Sequence, residues 1–227
     1  MTRDHPVTDG LEALYPFLYS GESDLDAVLH QVEQSTVDKV REIVTLRGDV
    51  LAADRDRLFA CAQDLAHAFR GGGRLLAFGN GGSSTDAQDL ASLFLSPAGD
   101  AKPLPAFGLT NDIAVVTALS NDIGFDVVFA RQIGAFGRPG DIAVGLSTSG
   151  NSANLMRAFD EAARRGMVTV GIAGYDGGKM AELDSIDHLF VVPSPSVHRI
   201  QEAQTTLYHA LWELTLGALD DSGVDQP

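Results

Sequence analysis

Residues 74–95 read RLLAFGNGGSSTDAQDLASLFL and combine three local patterns. The apolar run Leu75–Phe78 is too short for a helix and is typical of a buried strand in a parallel sheet. Three of the next four residues, 79–82, are glycines, which keep side chains away from a ligand that approaches the main chain. Ser83–Thr85 and a helical segment from Asp86 follow. This order directs backbone N–H groups and the positive end of a helix dipole at an anion, so phosphate is the expected ligand.

This loop matches neither of two common nucleotide-binding motifs. The dinucleotide fingerprint requires a third glycine where this chain has Ser84, and the Gly-Lys-Ser/Thr of a P-loop is missing from the sequence. Taken alone, the loop is also compatible with a tight strand-to-helix connection that binds nothing.

A second loop of the same kind follows the predicted strand Ile142–Leu146. Residues 147–152, STSGNS, contain four hydroxyl side chains and lead into a predicted helix, Ala153–Arg165. The first N–H groups of a helix have no partner within it, and these hydroxyls add further donors for a tetrahedral anion. Two such loops at the carboxyl ends of parallel strands predict a phosphate site.

Composition limits the classes of protein and partner. With 227 residues, 44% hydrophobic and 21% charged, the chain has the length and composition of one globular α/β domain. The net charge is −15, and the sixteen Lys and Arg residues form no basic stripe, which argues against direct nucleic-acid binding. A small phosphorylated ligand bound by backbone amides and hydroxyls is compatible with this charge.

The sequence contains neither a long apolar run suited to a membrane span nor a signal peptide in its first residues, so we expect a cytoplasmic protein without membrane contact. The single cysteine, Cys61, excludes an internal disulfide and agrees with a reducing compartment.

Strands and helices alternate along most of the chain and predict a doubly wound, mostly parallel, five-stranded α/β sheet. Two amphipathic helices, Asp24–Leu51 and Arg55–Phe69, precede it and predict an N-terminal helical hairpin. We therefore expect an arm over residues 1–23 and a single domain over residues 24–227. Ligands of such sheets bind beyond the carboxyl ends of the strands. The expected strands are Leu75–Phe78, Ala106–Leu109, Ile142–Leu146, Thr169–Ala173 and His188–Val192.

Four motifs occur in a characteristic order: GNGGS at 79–83, LSTSGNS at 146–152, GYDGGK at 174–179 and RIQEA at 199–203. Together they resemble the sugar isomerase (SIS) domain family, and within it the phosphoheptose (sedoheptulose 7-phosphate) isomerases. The resemblance extends from about residue 25 to residue 219. It implies a flavodoxin-like sandwich and a homotetramer with active sites between subunits.

The resemblance also implies how a phosphorylated sugar is bound. Further substrate contacts are expected from Asp122, Asp176 and Gln201. The residues expected at the substrate phosphate are Asn80, Gly81, Gly82, Ser83, Ser147, Thr148, Ser149 and Ser152.

Enzymes of this family interconvert ketose and aldose phosphates through an enediol, using a Glu and a His, and often bind zinc. In this chain Gln201 and His209 match the family pattern, but Asp89 replaces a His and Leu93 replaces the catalytic Glu. Leu93 cannot act as a base. His209 could work alone or with a carboxylate. Asp89 lies one turn before Leu93, and Glu202 lies two turns before His209 on the same helix face. The catalytic candidates are thus His209, Asp89 and Glu202.

Two functional hypotheses follow. The first is a sugar-phosphate aldose–ketose isomerase with an altered catalytic set. The alternative is a phosphosugar-binding or regulatory SIS protein without turnover, which Leu93 favours. Zinc is a conceivable cofactor through Asp89, Gln201 and His209, although zinc prefers His, Cys and carboxylate ligands to an amide oxygen.

Overall fold

A computed structural model describes residues 25–99 and 101–221, so the arm predicted over residues 1–23 lies outside the described residues. The strands are β1 (Leu75–Gly79), β2 (Ala106–Gly108), β3 (Ile142–Ser147), β4 (Val168–Gly174) and β5 (His188–Val192). The helices are α1 (Leu25–Ala53), α2 (Arg55–Arg70), α3 (Gly82–Leu95), α4 (Ile113–Asp122), α5 (Val128–Phe136), α6 (Ala153–Arg164) and α7 (Val197–Asp221). Short 3₁₀ helices span Phe125–Val127 and Gly178–Glu182.

The five strands form one parallel sheet in the order β2-β1-β3-β4-β5. This is the flavodoxin-like order of a doubly wound fold, and it confirms the predicted fold class. Because β1 pairs with β3, Gly79 lies opposite Leu146. The loops that follow these two strands are therefore neighbours at the carboxyl edge of the sheet.

Aromatic packing fixes one face of β1. The ring of Phe78 lies 5.4 Å from that of Phe129 on α5 and 5.3 Å from that of Phe159 on α6. Gly145 on β3 provides the space for these rings, because a Cβ there would lie 2.5 Å from Phe159 and 2.7 Å from Phe78. In the rest of the fold, α2 and α3 pack against α7.

The chain divides into two compact units within α1, between Val44 and Thr45. The described part of the first unit is helical over residues 25–44. The second unit contains the sheet and the helices from α2 onwards. The single domain expected over residues 24–227 stays a prediction. Among the described residues, none of the helices is both long enough and apolar enough to span a bilayer.

Helix α3 begins at Gly82, four residues before the predicted start at Asp86. The intervening serines and threonine form the first helical turn, in which Thr85 Oγ1 donates to the carbonyl of Gly82 at 2.6 Å. Hydroxyl residues are compatible with both a loop and a first helical turn, so the apolar pattern alone did not locate the start of α3. The glycine loop is correspondingly shorter than the sequence suggested.

Candidate active site

Two segments meet at the carboxyl edge of the sheet, the glycine loop (residues 79–83) and the hydroxyl loop (residues 147–152). They are joined by Asn80 and Asn154, whose side-chain amides donate to each other's oxygens at 3.0 Å in both directions. Asn154, at the start of α6, is 2% exposed. The Asn80 side chain therefore connects the glycine loop to the start of α6, the helix that follows the hydroxyl loop, and its expected contact with phosphate stays a prediction.

The hydroxyl loop is shaped by its own serines. Ser147 Oγ accepts from the N–H of Gly150 at 3.1 Å, and Ser149 Oγ accepts from the N–H of Asn151 at 3.2 Å. Both hydroxyl hydrogens are left for a further acceptor. Gly150 has φ +64°, and a Cβ there would lie 2.0 Å from the carbonyl oxygen of Gly177, so only glycine fits.

Two helices begin beside these loops. The N-cap residues are Gly81 for α3 and Ser152 for α6, and neither caps its helix through a side chain. Helix starts of this kind stabilise a bound anion through the helix dipole and through N–H groups. Each loop also contributes a serine beside its helix start, Ser83 from the glycine loop and Ser147 from the hydroxyl loop. Both serines are buried.

Beyond the glycine loop, α3 faces α7 through a polar pair. Gln201 Nε2 donates to Asp86 Oδ2 at 3.3 Å. A Cβ at Gly82 would lie 2.3 Å from Gln201 Nε2, so the glycine allows this close approach. Burial raises the pKa of Asp86, and the neighbouring Asp89 carboxylate adds to this, while the hydrogen bond from Gln201 acts against it.

One turn further along α3, Asp89 lies beside two residues of α7. The hydroxyl of Tyr208 donates to Asp89 Oδ2 at 2.7 Å, and the same oxygen is 3.8 Å from His209 Nε2. The side chains of His209 and Asp89 are 42% and 53% exposed, so a ligand can reach them. Burial and the Asp89 hydrogen bond raise the pKa of Tyr208, which therefore stays protonated at neutral pH. The structure thus brings together the predicted pair, Asp89 and His209.

Two residues of this site were not predicted. Asp86 is three positions before Asp89, a spacing that places both on one helix face and was a usable signal. Tyr208 adjoins His209 in sequence, but its hydrogen-bond partner Asp89 is 119 positions away. No local sequence pattern indicates a contact over that separation.

Three further candidates lie outside this pair. The carboxylate of Glu202 pairs with Arg199. Asp176 Oδ1 accepts from the N–H of Gly178 at 3.0 Å and so shapes its own turn. Asp122 ends α4, where its carboxylate accepts from Asn121 at 2.9 Å. The catalytic role of Glu202 and the substrate contacts of the other two stay predictions.

The donors proposed for zinc fit that metal poorly. Gln201 offers only an amide, and its nitrogen is already directed at Asp86. Asp89 Oδ2 accepts from Tyr208. Within residues 25–99 and 101–221, no group of three or more His, Cys, Asp or Glu side chains is arranged to hold a metal ion. Since structural and catalytic zinc sites use at least three such ligands, we derive no step through zinc.

Comparison with known proteins places the chain in a family. The sequence profile of the SIS domain matches residues 38–174. The chain belongs to the SIS domain family. Among SIS domain proteins it is similar to phosphoheptose isomerases. One from Roseiflexus sp. (strain RS-1) is 40% identical over 179 residues, which cover 78% of this chain and 90% of the relative. One from Aquifex aeolicus is 44% identical over 151 residues, covering 66% of this chain and 78% of the relative.

Solved structures agree with this assignment of a SIS domain. The phosphoheptose isomerase from Neisseria gonorrhoeae matches with a TM-score of 0.74 and 36% identity, over 80% of this chain and 97% of the other. The phosphoheptose isomerase from Francisella tularensis matches with a TM-score of 0.72 and 29% identity, over 86% of this chain and 98% of the other. The resemblance inferred from the four motifs is thus confirmed.

Proposed function

We propose that this protein interconverts the ketose and aldose forms of a phosphorylated sugar, with sedoheptulose 7-phosphate as the representative substrate. The similarity to phosphoheptose isomerases supports the reaction class. The observation that carries the proposal is the 3.8 Å approach of His209 Nε2 to Asp89 Oδ2. This pair lies on the helices that meet beside the glycine loop, so it provides acid–base groups next to the expected phosphate site.

The two loops and helix starts bind the phosphate and so fix the position of the reacting carbons. Isomerisation then needs one proton moved between two adjacent carbons. His209 removes the proton from the carbon next to the carbonyl, and water donates a proton to the carbonyl oxygen to give the enediol. His209 then returns its proton to the former carbonyl carbon, while the hydroxyl on the other carbon loses its proton to water, which completes the exchange of aldehyde and ketone. Asp89, with Oδ2 at 3.8 Å from His209 Nε2, stabilises the protonated imidazole through its negative charge.

The test is incubation with sedoheptulose 7-phosphate in deuterium oxide, followed by NMR of the sugar. We expect aldose to form and deuterium to enter at the second carbon. His209→Ala should lower the exchange rate about 10²–10⁴-fold, the usual contribution of a general base. His67→Ala, at an exposed position of α2, is the matched control and should leave the rate unchanged. Binding without exchange in the unsubstituted protein would instead support the alternative of a binding protein without turnover.

We further propose that the protein is a cytoplasmic homotetramer with active sites between subunits. The exposed apolar side chains of the first unit support an association surface: Val28, Leu29, Val32, Val37, Val40 and Val44. Isolated apolar residues are common on protein surfaces, but a contiguous set on one helix usually indicates an interaction site.

A further inference from the structure

Tyr208 is the one side chain that bonds the Asp89 carboxylate among the hydrogen bonds of the described residues. The tyrosine is 1% exposed, but its hydroxyl reaches out of the core to Asp89 Oδ2 at 2.7 Å. This is a short hydrogen bond between a neutral donor and a charged acceptor, the stronger kind of hydrogen bond in proteins.

Asp89 needs such a partner in order to keep one orientation. Its side chain is 53% exposed on the surface of α3, where an aspartate otherwise samples several rotamers. Tyr208, in contrast, is fixed by burial, and its ring stacks on that of His209 with a centroid distance of 5.3 Å. The fixed hydroxyl of Tyr208 on α7 thus determines the orientation of the exposed Asp89 carboxylate on α3.

The oxygen that Tyr208 holds is also the one that faces His209. Asp89 Oδ2 accepts the tyrosine hydrogen bond and lies 3.8 Å from His209 Nε2. Asp86, the other carboxylate on this face of α3, is bonded by Gln201 instead. The hydroxyl of Tyr208 therefore bonds the Asp89 carboxylate, whereas Gln201 bonds that of Asp86.

We propose that Tyr208 is a positioning residue, whose hydroxyl holds the Asp89 carboxylate toward His209 so that the two act as one acid–base pair. This inference rests on the proposed isomerase function. It also gives a physical reason why Asp89 can serve at a position different from that of the family's glutamate: the chain supplies the orientation from the neighbouring helix.

Tyr208→Phe removes only the hydroxyl. We expect kcat to fall about tenfold, which corresponds to about 1.4 kcal/mol. KM should stay within about twofold, because the loops that bind phosphate are untouched. Thr215→Val is the matched control, since it removes another buried hydroxyl of α7 that donates to the carbonyl of Leu211 at 2.7 Å. It should leave kcat unchanged.

A double-mutant cycle separates positioning from a general packing effect. If Tyr208 acts through Asp89, Tyr208→Phe causes no further loss in an Asp89→Ala background. An equal loss in both backgrounds, or an unchanged kcat in the single variant, overturns the proposal.

A second measurement does not depend on turnover. In a crystal structure of Tyr208→Phe, the Asp89 carboxylate should turn away from His209, with Oδ2 beyond the 3.8 Å found here. If the carboxylate keeps its place, the proposal is wrong, whatever the activity. If the unsubstituted protein fails to isomerise sugar phosphates, the proposed function fails, and this structural comparison still decides the role of Tyr208.

Discussion

Asp86 and Asp89 are two carboxylates on one face of α3 that differ in exposure and in hydrogen-bond partner. Asp89 is largely exposed and bonded by Tyr208. Asp86 is more enclosed and receives a longer hydrogen bond, 3.3 Å, from Gln201. Because burial and the charge of Asp89 raise the pKa of Asp86, its ionised form is less favourable in the folded chain than in the unfolded one.

This pKa shift has a measurable effect on stability. A carboxyl whose pKa is raised by folding contributes most stability when it is protonated, and that contribution is lost as the pH rises through the raised pKa. Asp86→Asn removes the charge and keeps an oxygen for Gln201. We expect the variant to be more stable than the unsubstituted protein at pH 7, by less than about 1 kcal/mol because water still reaches the site.

Urea unfolding at several pH values is the measurement for Asp86→Asn. The difference in stability between the variant and the unsubstituted protein should shrink as the pH falls toward the usual aspartate pKa of about 3.9. Asp126→Asn is the control, because its carboxylate forms only an exposed pair with Arg157 at 3.7 Å. A lower stability of Asp86→Asn at pH 7 contradicts the prediction.

The sequence could identify Asp89 and His209 because both occupy recognisable positions in motif-bearing helices. It could not show that they approach within 3.8 Å, since that distance depends on how α3 packs on α7. It also could not identify Tyr208, because a tyrosine next to an apolar helix face is expected in the core, and the direction of its hydroxyl is set by tertiary packing.

The candidate site depends on the relative position of two strand-to-helix connections. Parallel pairing of β1 with β3 places the glycine loop beside the hydroxyl loop. The reciprocal amide bonds of Asn80 and Asn154 then fix the glycine loop on the start of α6, which follows the hydroxyl loop. Both amides use donor and acceptor at once, so replacing either one leaves the amide of the other unpaired: that of Asn154 is buried and that of Asn80 half-buried.

We therefore expect Asn154→Ala to loosen the glycine loop. KM for the sugar phosphate should rise about tenfold, or about 1.4 kcal/mol, while kcat changes less. Stability should fall by about 1 kcal/mol, the low end of the cost of an unpaired polar group, because the Asn80 amide left without its partner is only half-buried. Steady-state kinetics and urea unfolding measure the two effects.

The double variant Asn80→Ala with Asn154→Ala serves as the control. Since each amide is the other's partner, the pair should lose little more than either single variant. Additive losses would mean that the two asparagines act separately.

Whether each element is a strand or a helix was largely predictable from the sequence. Short apolar runs between glycine-rich turns indicated five strands, and the described residues form five, in the flavodoxin-like order. The start of α3 was not predictable in the same way, because hydroxyl residues are compatible with both a loop and a first helical turn. Sequence also leaves open whether a short helical segment is α or 3₁₀, as at Gly178–Glu182.

The first unit carries exposed apolar side chains along α1. Val32 and Val40 are 58% and 56% exposed, and lie two turns apart on α1. Exposure of this kind is costly unless another surface covers it. The proposed tetramer would bury these side chains between subunits.

Val32→Glu tests whether the exposed side chains of α1 are buried in the proposed tetramer. A charge placed in a buried apolar interface disfavours association by several kcal/mol, so we expect analytical ultracentrifugation to show species smaller than the tetramer. Gln31→Glu adds the same charge at an exposed polar position of α1 and should leave the sedimentation unchanged. A monomeric unsubstituted protein contradicts the tetramer directly.

The proposed phosphate site at the two helix starts has one expected kinetic consequence. Its N–H groups and hydroxyls would attract phosphate only over short distances, whereas the chain as a whole has a net charge of −15. A doubly negative sugar phosphate must therefore diffuse inward against a repulsive field before it reaches those donors. Dissolved salt screens the long-range repulsion far more than the close contacts, so moderate ionic strength should accelerate capture of the substrate.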